Sequence, residues 1–231
     1  MATIEEVRDA IRLKNEAEAA KAQAEATKAQ AEARKFAAEA GKEEIAYAAA
    51  LRAERDELAT NKHNLVYTFA GDVSNSSVTA CIDQLTIWSR TRPKEDITII
   101  FFSPGGGVFS GMALFDFLQE LKDKGHKITT VAHGMAASMA GILMQAGDWR
   151  ICGKEAYILI HEISSGTWGK ASELEDELKF TKRIQERVLN IFADRSGGKV
   201  SKSFIRRNWA RKDWWLSSDS CLKYGIVDEV R

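Results

Sequence analysis

The chain of 231 residues is long enough for one sizeable domain with an appendage. Its 33 basic and 33 acidic residues give a formal net charge of +0, which argues against a nucleic-acid binder working through a general phosphate field. No stretch approaches a membrane span, the start "MATIEEVRDAIRLK" has no apolar signal core, and Cys81, Cys152 and Cys221 lack metal-ligand spacing. The expectation is a reduced, cytoplasmic protein without metal, cofactor or membrane contact, each cysteine being a small buried apolar residue.

Residues 1–62 are rich in Ala, Glu, Lys and Arg, with no proline and one glycine, Gly41. A sevenfold repeat runs through "AEAAKAQ" (17–23), "AEATKAQ" (24–30) and "AEARKFA" (31–37). That period, with high helix propensity, predicts a long helix or coiled coil. Glu25 to Lys28 and Glu32 to Lys35 have the spacing of i,i+3 charge pairs. The seam is mostly alanine, and each buried methyl contributes only about 0.8 kcal/mol. Association is therefore weak except where Ile4, Val7, Ile11 and Leu13, or Ile45, Leu51 and Leu58, join it. The segment reads as an oligomerisation or partner-binding arm, or else as a solvated helix. It carries no chemistry.

Residues 63–231 read as an α/β domain. "NLVYTFAG" (64–71) predicts a strand, and "SSVTACIDQLTIWSRT" (76–91) a helix with Val78, Cys81, Ile82, Leu85 and Trp88 on one face. "DITIIFF" (96–102) has the continuous apolar run of a buried parallel strand. "GMALFDFLQELKDKG" (111–125) predicts an amphipathic helix stopped by glycine. "KITTVAHG" (127–134) is a strand, "MAGILMQAG" (139–147) a helix and "AYILIHEI" (156–163) a strand. "KASELEDELKFTKRIQERVLNIFADRSGG" (170–198) is a long amphipathic helix. Alternation of strand and helix predicts right-handed crossovers, with reactive groups at the strand-to-helix turns.

Four features carry chemistry, three of them on or near such turns and the fourth in an irregular stretch. In "SPGGG" (103–107), three glycines free backbone N–H groups to point outward, without the Lys of a P-loop or the spacing of a dinucleotide fingerprint. Ser138 in "HGMAASMAGILMQAG" starts a helix, where it is either an N-cap or a nucleophile. Behind it the Met139 amide stands unpaired at the positive end of the helix dipole. His161 ends an apolar strand, while His133 is a competing base and His126 and His63 read as surface residues. Asp213, in "RKDWWLSS", is flanked by aromatics that would exclude water.

Together these segments resemble the ClpP family, the proteolytic subunits of the Clp protease. The resemblance runs from about residue 64 to 230, through "SPGGGVFSGMALFD", "GMAASMAGILMQAG", "ILIHE" and "KDWWLSSDSCLKYGIVDEV". It implies a ClpP/crotonase-like βαβ spiral domain behind the helical arm. It also implies Ser138 as nucleophile, His161 as general base and Asp213 as the acid orienting it, with Asp219 and Asp228 as alternatives. Gly106 and Met139 would donate the oxyanion-hole N–H groups, and Gly105, Gly107 and Ser164 would bind an extended peptide substrate by strand addition. The family pattern implies homo-oligomeric, heptameric and stacked rings, with residues 164–198 as the handle between them. Glu173, Glu175, Asp176 and Glu177, with Lys182, Arg183 and Arg187, would supply polar contacts along that helix.

Three departures from the family pattern stand out. Glu162 and Ile163 follow His161 where the family has Pro two residues after the base, and about three extra residues precede Asp213. The alanine-rich arm replaces the short axial-gate segment, so a partner is either an AAA+ unfoldase or a scaffold. The role is accordingly general protein turnover or dedicated processing, as in phage capsid maturation. The competing readings are a non-catalytic assembly protein, a crotonase-type acyl-CoA enzyme, which has no need of a Ser/His/Asp set, and a membrane-bound Ser–Lys peptidase.

Overall fold

The computed structural model describes residues 3–164, 166 and 168–231. They form two compact units that divide between Thr60 and Asn61. The boundary lies two residues before the expected one because the Asn61 carbonyl already accepts the Val66 N–H at 2.8 Å, tying 61–65 to the first strand.

The first unit is one helix, α1 (Ile4–Leu58), of 55 residues, about 80 Å long at 1.5 Å per residue. Thr3 closes its start reciprocally. Its hydroxyl accepts the Glu6 N–H at 3.3 Å, and its own N–H donates to the Glu6 carboxylate at 2.8 Å. No side chain of α1 is buried, so propensity and capping alone support it within this unit. Its ion pairs, Arg12–Asp9, Arg12–Glu16 and Lys14–Glu18 at 3.6–3.9 Å, lie near its start rather than at the repeat positions Glu25–Lys28 and Glu32–Lys35. Such long exposed side chains gain little from closing a pair.

The second unit is built on a seven-stranded sheet. In chain order it runs β1 (Val66–Ala70), α2 (Asn75–Thr91), β2 (Ile97–Ser103), α3 (Val108–Asp123), β3 (Ile128–Ala137), α4 (Met139–Met144), β4 (Trp149–Cys152) and β5 (Tyr157–Ile160). It continues with α5 (Ala171–Arg195), α6 (Lys202–Trp209), β6 (Trp214–Ser217), α7 (Ser218–Lys223) and β7 (Glu229–Val230). The order β1-β2-β3-β4-β7 is parallel throughout, while β5 pairs with β3 and, antiparallel, with β6. Phe69, Phe101, Leu85, Leu114, Leu118 and Ile128 fill the core at 0–2 % exposure, which explains the apolar runs read from the sequence.

The sheet forks at β3. Its first half, Thr129–Ala132, pairs with β4, and its second half, Met135–Ala137, pairs with β5. Between them the step from Phe101 to Ser103 on β2 opposes the longer step from Ala132 to Ala136 on β3. The extra residues bulge outward and leave His133 and Gly134 exposed. β3 therefore runs past Gly134, which has φ 65°, and reaches Ala137.

His126 is not a surface residue. It is 3 % exposed, with Nδ1 2.8 Å from the Glu95 carbonyl and Nε2 3.0 Å from Ser89 Oγ. The three cysteines are free and buried, and burial pushes the Cys81 thiol up to about 12. The Cys221 thiol is also raised, by its hydrogen bond with Cys152 and then by burial.

Candidate active site

Strand register brings the expected residues together. β3 and β5 pair as far as Ala137 and Leu159, and the Ser138 N–H continues the ladder to the Leu159 carbonyl at 3.0 Å. On the other side of β5, Ile160 opposes Trp214 of antiparallel β6, so His161 and Asp213, one residue further along each strand, are neighbours. Residues 75 positions apart in the chain thus meet through two ladders.

Ser138 Oγ lies 2.7 Å from His161 Nε2. The serine occupies the residue before α4, yet its side chain makes no capping bond to that helix. Its backbone stands at φ 55°, ψ −122°, a conformation costly for a side chain bearing a Cβ and frequent at functional turns. This strain aims the hydroxyl at the imidazole instead of the helix amides.

His161 Nδ1 is 3.3 Å from Asp213 Oδ1. The Asp213 side chain is 60 % exposed, so the flanking aromatics do not shield it from water as expected. Trp214 turns inward onto Phe204 and Tyr224 at centroid distances of 5.8 and 5.7 Å, while Trp215 is exposed. The alternative acids lie elsewhere: Asp219 is exposed in the first turn of α7, and Asp228 is bound by Arg150 at 2.6 and 2.9 Å.

The glycine turn presses against the serine. A Cβ on Gly105, which has φ 95°, would lie 2.6 Å from the Ala137 carbonyl oxygen, 2.7 Å from Ser138 Cβ and 2.9 Å from the Met139 nitrogen. The three glycines are not equally outward-facing. The Gly105 N–H donates to Ser103 Oγ at 3.1 Å and its carbonyl accepts the Val73 N–H at 2.7 Å. The Gly107 N–H donates to the Val73 carbonyl at 2.7 Å, and its own carbonyl accepts from Gly111. The backbone groups of Gly105 and Gly107 are thus engaged inside the fold. Among the described residues the Gly106 N–H has no acceptor, and the parallel bridge to Val73 turns it away from that residue. The Met139 N–H heads α4, where no intrahelical acceptor exists. Gly106 and Met139 both line one cavity.

That cavity, about 160 Å³, is lined by Gly106, Ser138, His161 and Ser164 and by apolar Val108, Met139, Ile142, Ile160, Ile163, Val188 and Phe192. Val188 and Phe192 come from the second half of α5, the half that enters the core. Sequence reasoning missed Val73, which is 2 % exposed and clamps the glycine turn from both sides. Its only signal was its place just after the β1 turn. Among the described residues no group of three His, Cys, Asp or Glu side chains is placed to hold a metal.

A serine hydroxyl on an imidazole, beside a carboxylate and two unpaired amides on an α/β sheet, is the arrangement of a serine hydrolase. Residues 55–231 match the family model described as Clp protease. The chain belongs to the Clp protease family. Among the described residues no helix is long and apolar enough to cross a membrane.

Proposed function

We propose that the protein is a serine endopeptidase that hydrolyses extended polypeptides, with Ser138, His161 and Asp213 as its triad. The observation that carries this reading is the 2.7 Å contact from Ser138 Oγ to His161 Nε2. Ser138 Oγ attacks the scissile carbonyl as His161 takes its proton, and the imidazolium then protonates the leaving amine. Asp213 fixes the tautomer with Nδ1–H and stabilises the imidazolium. The Gly106 and Met139 amides receive the oxyanion, each contributing about 3 kcal/mol to the transition state. The apolar cavity beside Ser138 takes the side chain on the acyl side of the bond, so aliphatic residues there are favoured.

The enzyme acts as a homo-oligomer of stacked rings. Leu174 and Leu178, 38 % and 53 % exposed on the first half of α5, offer the apolar surface through which a projecting handle packs. In that half Lys179 pairs with Glu175 at 2.9 Å and Asp176 at 3.6 Å, and Arg183 lies 5.6 Å over Phe180. With no buried side chain of its own, α1 serves assembly or scaffold docking. A cytoplasmic setting fits the three unpaired thiols.

The test is labelling of full-length protein with a fluorophosphonate, read by intact mass and peptide mapping beside Ser138→Ala. A single adduct on Ser138 with loss of peptide cleavage supports the reading. Cleavage retained by Ser138→Ala refutes it.

A further inference from the structure

His161 separates two cavities of different character. Beside the apolar one, a second of about 370 Å³ has His161, Glu162, Ser164, Arg211, Lys212 and Asp213 in its lining. Both of its acids are engaged. Asp213 faces His161 Nδ1 at 3.3 Å. Glu162 accepts the Arg211 N–H on one oxygen and Gln185 Nε2 on the other, each at 3.4 Å. Both cations are free: among the described residues neither the Arg211 guanidinium nor the Lys212 ammonium has an ion-pair partner within 4.0 Å. Arg211 stands at φ 58°, and the Glu162 contact to its amide fixes the turn from which its side chain departs. The lining balances two cations against two carboxylates, but neither cation is closed into an ion pair, so both are open to a ligand carboxylate on a defined backbone.

Its place relative to the chemistry is set by the imidazole. Resting on the peptidase reading above, the acyl side of the substrate fills the apolar cavity, and the leaving amine takes its proton from His161 Nε2. The chain beyond that amine then continues past His161, where the second cavity opens. The two cavities share His161 and Ser164.

We propose that this second cavity binds a carboxylate of the leaving peptide, held by Arg211 and Lys212, and that the enzyme prefers acidic residues shortly after the scissile bond. Glu162 acts there as a positioning residue that holds the Arg211 turn through its amide. The carboxylate belongs to an Asp or Glu side chain or to the chain's own C-terminus, and both bring the same charge and geometry.

Full-length protein is assayed with paired quenched peptides that differ only by Glu or Gln at the first or second position after the cleaved bond. A further pair presents a free C-terminal acid or its amide at that distance. We expect kcat/KM for the acidic member to exceed its neutral twin about three- to tenfold at low ionic strength, narrowing in about 0.5 M salt. Arg211→Glu with Lys212→Glu inverts the ratio. A preference confined to the free-acid pair assigns the site to the chain terminus. Ratios near one in the wild type for both pairs overturn the proposal, while cleavage of the neutral peptides leaves the peptidase reading standing. If no peptide is cut, binding of the same pairs to Ser138→Ala by fluorescence polarisation decides, and equal affinities overturn it.

Discussion

Ser138 Oγ lies 2.7 Å from His161 Nε2, and the serine donates its side chain to this contact instead of capping the helix it begins. A capping serine would contribute about 1 kcal/mol to stability, and its removal would be felt in folding. Ser138→Ala is therefore expected to separate function from stability. Peptide cleavage should fall by more than ~10³-fold. The melting temperature should stay within about 3 °C, because the hydroxyl caps no helix and gives up only its contact with the half-buried His161. Calorimetry and peptidase assay on the same preparation check both halves.

Asp213 is the most exposed member of the proposed triad. A fully buried orienting aspartate loses about 10⁴-fold in kcat when changed to asparagine, through the wrong imidazole tautomer. Here the side chain is 60 % exposed and 3.3 Å from Nδ1, so water competes for the same nitrogen. Asp213→Asn should cost less, about 10²- to 10³-fold in kcat with KM little changed. Asp219→Asn, on the surface of α7, should leave both constants unaltered. Equal losses in the two variants would remove Asp213 from the triad.

Gly105 and Gly41 make a paired test of where the chain needs glycine. At Gly105 an added Cβ collides with three atoms of the Ala137–Met139 turn and sits at φ 95°. Gly105→Ala should displace Ser138 and lower kcat at least about 10²-fold, since a shift of about 1 Å at the reacting atoms costs that much. Gly41 meets nothing within 4 Å of an added Cβ and lies inside α1. Gly41→Ala should leave kcat unchanged and stabilise the helix by about 1 kcal/mol, read as raised helicity by circular dichroism.

Much of the site was legible because its parts sit where strand gives way to turn. Ser138 and the glycine turn follow β3 and β2, strands marked in the sequence by the segments ITTVA and ITIIFF. β4, β6, α6, α7 and β7 were not read, because they are two to eight residues long, too short for periodicity to speak. The fork in β3 was hidden too, since a register shift across Gly134 leaves no mark on composition. Histidines misled in a related way. His126 stands among charged neighbours in sequence, but its burial follows from partners more than 30 residues away, at Glu95 and Ser89. The engagement of Gly105 and Gly107 likewise depends on Val73 and Ser103, contacts of the folded turn that a run of three glycines does not announce.

Far from Ser138, Arg150 and Asp228 join β4 to the start of β7. The Arg150 side chain is 4 % exposed, and it binds Asp228 through Nε and a terminal nitrogen at 2.9 and 2.6 Å. Gln145 Oε1 accepts its third nitrogen at 2.6 Å. Burial by itself raises the Asp228 carboxyl, but the hydrogen bonds and charge of Arg150 outweigh it and hold the group below its ordinary value. Asp228→Asn keeps the shape and leaves the guanidinium without a counter-charge, which should cost about 3 kcal/mol at pH 7. Replacing both, as Arg150→Met with Asp228→Leu, should recover much of that loss. Because the folded carboxyl is depressed, its contribution is complete above the unfolded value of about 3.9 and disappears as pH falls through the folded one. Urea midpoints of wild type and Asp228→Asn should therefore differ at pH 7 and converge only as pH falls below the depressed folded value. A difference that persists in acid would mean that Asp228 stabilises β7 through packing and its bond to the Arg150 N–H, not through charge.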